Sequence, residues 1–417
     1  MTCSLLLLSL LLACAAGTAN AQRNEAFTQS IKTIRTVANG NWEQPPIIEL
    51  GTDEYIEISF DELSHQYHRY TYKITHCNAD WQPSGLSELD YLDGFNGNTI
   101  DYYANSFNTT MLYTHYALEI PNEDVSITAS GNYVVSVYDD DNGGEHVLNA
   151  CFSVVEQQVG IAASVSSNTD IDTNSTHQQV SFSIHYGNYD IRNPASEVKV
   201  QVFQNQRRDN MVAGIAPTYQ QSGRLQYVHN RRLIFDAGNE YRRFELTNVH
   251  YATQGVDYVR FFDPYYHAVL FTDKNRRNYS YDVDQNGRYF VRYNEAEDND
   301  TEADYIFIHF ALAWDDAPLH DGGLYLQGAF TNGRFDASSR MTYNPQTQMY
   351  EAVQLLKQGA YNYMYLYVPD GSTQGSTLPV EGNSYETENE YMILVYHRPF
   401  GGRYDRLIGR AVVKFQQ

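Results

Sequence analysis

From Tyr361 the chain alternates strictly, with Tyr361, Tyr363, Tyr365 and Tyr367 on one side and Met364, Leu366 and Val368 on the other. Side chains of a strand point to opposite faces with period two, so this stretch predicts a strand with a tyrosine face and an aliphatic face. Gln358-Gly359 before it predicts a turn. The aliphatic face needs a second sheet over it, which implies a sandwich. The tyrosine face has two readings, a second packed layer or a surface for a partner, because tyrosine joins a large apolar body to a hydroxyl that needs a hydrogen-bond partner. Packing within the molecule is the favoured reading, and Tyr361, Tyr363, Tyr365 and Tyr367 stand as the candidate interface under the other.

The same period recurs throughout. Ile47–Gly51 and Tyr55–Phe60 read as a hairpin, and Tyr70–Cys77, Tyr113–Ile120, Tyr133–Tyr138 and Val147–Val155 as further strands. Gly131-Asn132, Asp139–Gly144 and Pro121-Asn122 supply turns. Strands at this spacing describe an immunoglobulin-like sandwich over residues 22–156. A second sandwich is expected over 157–294, with strands at Gln179–Tyr186, Val198–Val202, Arg231–Asp236 and Tyr241–Thr247. It ends in a hairpin, Tyr279–Asp284 and Arg288–Val291, turned by Asn286-Gly287, because Asn-Gly between alternating runs is a strong hairpin signal. Residues 295–302 are acidic, lack aromatic residues and read as a linker. A third sandwich is expected over 303–417. It opens on the continuous apolar run Tyr305–Phe310, read as buried on both faces, and closes on Tyr391–Tyr396 and Leu407–Val413. The fold class is all-β: three consecutive immunoglobulin-like or early-set β-sandwich domains.

Residues 1–21 read as a signal peptide. Leu5–Ala13 is an apolar core, and Ala19-Asn20-Ala21 fits a small-x-small cleavage site. A competing pattern, Leu11-Leu12-Ala13-Cys14, would leave a lipid anchor on Cys14. Either outcome implies export. Outside the leader only Cys77 and Cys151 remain, and an exported compartment permits a disulfide between them or leaves two buried thiols.

The formal charge of −23 opposes nucleic acid and anionic lipid. Asp282-x-Asp284-x-Asn286-Gly287 matches the first half of a calcium loop, but Tyr293 stands where the loop needs Glu, so a plain turn is expected. The Asp139–Asp141 run is likewise read as a turn, and His65-x-x-His68 as a pair without a zinc site. No nucleophile elbow, zincin, phosphate-loop or dinucleotide pattern occurs. No catalytic residue, cofactor or metal is therefore expected.

Leu324–Asn332, Met341-Thr342-Tyr343, the Gly359 turn and Asp370-Gly371 together resemble the starch- and glycogen-binding early-set modules. Those modules hold sugar on exposed tryptophans, but Gly333-Arg334-Phe335 stands at the expected position and Trp314 is the only tryptophan of this unit. A glucan-binding role through this sandwich is the alternative function.

A longer set of words runs along nearly the whole chain: His76–Trp81 with Gly94-Phe95, Tyr113–Tyr116, Asp284–Gly287, Ala303–Tyr305, Leu356–Gly359, Glu386–Asn389 and Arg403–Gly409. Together they resemble the plug proteins of the bacterial type IX secretion system. The resemblance implies a non-enzymatic periplasmic protein of Bacteroidetes-type bacteria. Its partner would be the outer-membrane translocon barrel, whose periplasmic opening it closes while the cargo-shuttle protein is absent.

Overall fold

The computed structural model describes residues 23–416. The signal peptide and Cys14 lie outside the described residues. The chain is all-β, built as three sandwiches.

In the first sandwich, one sheet holds Gly131–Asp139 at its centre, flanked by Glu145–Val155 and Tyr70–Cys77. The other runs Ile31–Ala38, Ile56–Glu62, Thr114–Ile120, Tyr102–Asn105. The alternation of Ile56, Ile58 and Phe60 sets these side chains against Tyr72, Ile74, Tyr133 and Val135 from the facing sheet, forming a dry core. The predicted hairpin at residues 47–60 does not form. Ile47–Glu49 runs parallel to Glu145–Val155 in one sheet, while Ile56–Glu62 belongs to the other.

The second and third sandwiches are nested rather than strung in line. Val198–Gln204 pairs with Glu390–His397, which pairs with Arg406–Lys414. The last strands of the chain therefore complete the second sandwich, facing Gly160–Ser166, His177–His185 and Arg224–Tyr227. Arg242–Leu246 leaves that unit and pairs with Gly359–Pro369. The third sandwich is thus an insertion, and the expected boundaries at residues 294, 303 and 417 shift accordingly. Period-two patterning marks a strand without naming the sheet it joins, which is why the chain order suggested a linear array.

The third sandwich sets Arg242–Leu246, Gly359–Pro369, Tyr289–Val291 and Gly322–Gln327 over a five-stranded sheet. That sheet runs Val256–Phe262, Tyr265–Leu270, Tyr305–Ala313, Met349–Lys357, Thr342–Asn344. Tyr279–Asp284 forms no strand, and Tyr289–Val291 pairs instead with the tyrosine strand. The Asn286-Gly287 turn is real, with both residues at positive φ, and a Cβ on Gly287 would lie 2.7 Å from the Tyr241 ring. Residues 295–302 are no linker: they lie inside the third sandwich, carry the short helix Asn299–Glu302, and bind the first domain.

Candidate protein-interaction surface

Tyr305–Ala313 is apolar on both faces. Ile306, Ile308, Phe310 and Leu312 enter the third core, while Phe307 and His309 point outward. Cross-strand register then fixes the composition of the outer face. Phe307 stands opposite His267 and Leu355, and His309 opposite Val269 and Val353. On the edge strand, Tyr258, Arg260 and Phe262 pair with Val269, His267 and Tyr265 and so share that face. Tyr258, Phe262 and Val353 are 41%, 54% and 51% exposed. The rings of Phe262 and His267 lie 5.3 Å apart, and those of His267 and Phe307 4.9 Å. At the centre His267 Nδ1 and His309 Nε2 share a hydrogen bond of 2.9 Å. Burial, then the neighbouring His267, lowers the His309 pKa, so the His309 ring favours its neutral form.

This face continues onto the first domain. Met111 and Tyr113 pack with Tyr305, and Tyr265, Phe307 and Leu355 close the cluster. Beside it Phe107 and Leu112 project into solvent, as do Tyr102 and Tyr103 of the edge strand. The Tyr67 and Tyr103 rings sit 4.6 Å apart. The result is a half-exposed aromatic belt across two domains of a strongly acidic protein, and aromatic residues dominate the energetic centres of protein interfaces.

A buried ionic cluster holds the two halves in register. Asp61 of the first domain accepts from Lys357 Nζ at 2.7 Å and from the Tyr305 hydroxyl at 2.7 Å, while its other oxygen meets His115 Nδ1 at 2.6 Å. Lys357 also donates to the Asp300 carbonyl at 2.7 Å and lies 4.2 Å from the centre of the Tyr113 ring. Burial pushes the Asp61 carboxyl up, but the Lys357 ammonium and the His115 bond outweigh it and hold the pKa at about 2. Arg35 adds an ion pair to Asp300 at 2.5 Å, and Asp304 accepts from the Thr110 and Met111 amides at 2.9 and 3.1 Å.

The first and second domains are joined in the same manner. Ile47, Ala79 and Val155 share a core with Phe203, Leu394, Tyr396 and Leu407. Asp405 receives the Ala79 amide at 3.0 Å, Lys199 Nζ at 2.9 Å and Arg398 Nε at 2.8 Å. The His76 ring packs edge-on against Tyr404 at 5.2 Å and fills the space a side chain at Gly131 would need. Two distant sequence words, His76–Trp81 and Arg403–Gly409, are therefore two sides of one joint.

The tyrosine strand is corrected as a surface. Tyr361, Tyr363 and Tyr365 are buried in the third core, and Tyr367 is half-buried. The Tyr363 and Tyr365 hydroxyls both donate to Asp273 at 2.7 Å, so their polar ends are satisfied inside. The aliphatic side faces the other way, with Met364 and Leu366 covered by Tyr241 and Phe335. Cys77 and Cys151 are free. They sit on strands either side of Gly131–Asp139, opposite Asn132 and Val134 respectively, so two strand spacings and a two-residue offset put them roughly 12 Å apart, beyond the span of a disulfide. Burial pushes both thiols up to about 12.

The other sequence motifs disperse. His65 contacts the Ser106 carbonyl at 2.9 Å while His68 turns to Asp139 at 3.1 Å. His68, Asp139 and Asp141 converge within 4.8 Å, yet Asp139 already accepts the Asp141 and Asn142 amides. Asp284 accepts the Asn286 amide at 2.8 Å and Asp282 pairs with Arg243 at 3.1 Å, so they do not surround a common point. Trp314 is buried, its indole donating to the Ala317 carbonyl, and offers no sugar platform. The residues that sequence reasoning missed are Tyr258, Phe262 and Val353. Their signal was the apolar run Tyr305–Phe310, expected to be buried on both faces; the first domain covers the outer face only at its Tyr305–Phe307 end, and His309 with its cross-strand neighbours stays partly exposed.

Residues 31–156 match the family model described as the type 9 secretion system plug protein 1st domain. A solved structure, titled as a hypothetical protein from Parabacteroides merdae, is 49% identical to the chain. The match covers 94% of this chain and 99% of that one, with a TM-score of 0.92. No curated protein matches. No helix among the described residues is long and apolar enough to cross a membrane.

Proposed function

We propose that the chain is a member of the type 9 secretion system plug protein family, whose first-domain model matches residues 31–156, and that it is a non-enzymatic periplasmic plug. It binds the periplasmic opening of the outer-membrane translocon barrel and closes it while the cargo-shuttle protein is absent. The observation that carries this reading is the aromatic belt spanning the first and third domains, held rigid by the buried Asp61–Lys357 cluster.

Closing a wide pore needs a broad, stiff surface and no chemistry. Three sandwiches joined by apolar and ionic seams supply such a body, where a single small domain would fall short. A stable complex buries roughly 1,600 Å² with aromatic anchors near its centre. Tyr258, Phe262, Val353, Phe107 and Leu112 are the anchors of this reading. Purification of the tagged protein from envelope extracts tests it: the expected result is recovery of a large outer-membrane barrel, lost when Tyr258 and Phe262 are both changed to Ala.

A further inference from the structure

The five-stranded sheet of the third sandwich ends on two unlike edges. One, Thr342–Asn344, is three residues long and offers little main chain to another molecule. The other, Val256–Phe262, runs for seven residues and contains neither lysine nor proline, two of the residues that guard open edges. A bulge between Val256 and Tyr258 disturbs its start and leaves Tyr258–Phe262 regular. Strand pairing uses the main-chain groups of alternate residues, so the others in this run aim their N–H and C=O groups away from Tyr265–Leu270.

Side chains on both faces of this edge are open as well. Tyr258 and Phe262 are half-exposed on the outer face, and Phe261 on the other is half-exposed beside the Tyr266 ring at 5.0 Å. Arg260 shares the outer face, is exposed at the centre of the run, and stacks 5.0 Å from the centre of the Tyr258 ring. Asp257 and Asp263 bracket the run, yet Arg260 makes no ion pair among the described residues. Two aromatic side chains thus flank a cation without a counter-charge. Self-pairing does not supply one. Two copies centred on the regular run would set Arg260 against Arg260, and each copy carries a net charge of −23. An acid on a different strand fits the position.

We propose that Val256–Phe262 takes up an extended segment of a partner protein as an added strand, with an aspartate or glutamate of that segment opposite Arg260 and apolar side chains opposite Tyr258 and Phe262. Main-chain bonds hold such a segment, and its alternate side chains give selectivity. The edge borders the aromatic belt, so strand addition extends the same contact surface. The proposal rests on the plug reading only for which protein donates the strand.

The test needs no barrel, so its failure and that of the plug reading are told apart. It uses the mature chain and a fluorescein-labelled palindromic peptide, Thr-Val-Thr-Glu-Thr-Val-Thr, which presents the same side chains in either strand direction. Fluorescence anisotropy is expected to show saturable binding below about 1 mM. The peptide with lysine in place of glutamate is expected to bind at least about fivefold more weakly, against the pull of the −23 net charge. Arg260→Glu should reverse that order. Two further glutamate peptides carry N-methyl groups on opposite alternate sets of amides. One should bind at least about tenfold more weakly than the other, because only one set faces the edge. No saturation up to about 1 mM, a lysine peptide that binds equally or better, an unchanged order in Arg260→Glu, or equal effects of the two methylations would overturn the proposal.

Discussion

The Lys357 ammonium lies 2.7 Å from the Asp61 carboxylate although 296 positions separate them, and both side chains are almost fully buried. The pair belongs to different domains. Removing either charge leaves the other buried without compensation, which is far more costly than losing an exposed pair. Lys357→Met is therefore expected to lower stability by about 3–5 kcal/mol in urea denaturation and to loosen the first domain from the third. Scattering in solution would register that loosening as an increased radius of gyration. A change under ~1 kcal/mol would show that the cluster does not hold the joint.

Acid should act on the same cluster. The Asp61 carboxyl is held at about 2, below its unfolded value near ~3.9, so the ionised form favours the folded state. Its contribution is present above the unfolded value and is lost as pH falls through the folded one. Stability measured between pH 5 and pH 2 should fall less steeply for Asp61→Asn than for the parent protein.

Glu240 predicts the opposite slope. Burial, despite the Tyr279 hydroxyl bond at 2.7 Å, raises its carboxyl to about 7. A raised acid stabilises below its unfolded value, and that contribution is lost as pH climbs through 7. Glu240→Gln retains an oxygen that accepts from Tyr279 and from the Glu388 amide. It is expected to be more stable than the parent at pH 8 by about 1–3 kcal/mol and to differ little at pH 5, as calorimetry would read directly.

The two tyrosine-rich regions should behave differently under mutation. Tyr363→Ala removes a core ring and its Asp273 bond and is expected to cost about 3–5 kcal/mol. Phe262→Ala acts on an exposed ring and should change stability by about 0.5 kcal/mol or less. Thermal melts of the two variants side by side decide whether the rings lie where the structure puts them.

Much of the fold is legible in the residues. Strict alternation at Tyr361–Val368 marks a strand, and the Asn286-Gly287 pair marks a turn. Sheet membership is not legible, because pairing is decided between segments far apart in the chain. Val198–Gln204 has no local feature that selects Glu390–His397, so the insertion of the third sandwich is invisible in sequence order. The tyrosine face was ambiguous for a related reason. An alternating strand shows that its two faces differ, but Asp273, which satisfies two of those hydroxyls, lies about ninety positions upstream. The candidate surface was half legible. The Tyr305–Phe310 run read as a strand buried on both faces, and only the structure, through its register with Val256–Phe262 and Tyr265–Leu270, shows that one side stays partly open.

The thiols offer a chemical check on the first domain. Cys77 and Cys151 should alkylate only after unfolding, with no linked peptide in non-reducing mass mapping, since a strand lies between them. A Cys77–Cys151 peptide pair would require the central strand Gly131–Asp139 to be displaced.

The plug reading is tested most directly by purifying tagged parent protein and the Tyr258→Ala/Phe262→Ala variant from the same envelope extract and identifying what comes with each. The account predicts a large outer-membrane barrel with the parent and its loss from the variant, whose melting temperature stays that of the parent. Recovery of no translocon component with the parent, together with its retention on insoluble glucan, would contradict it.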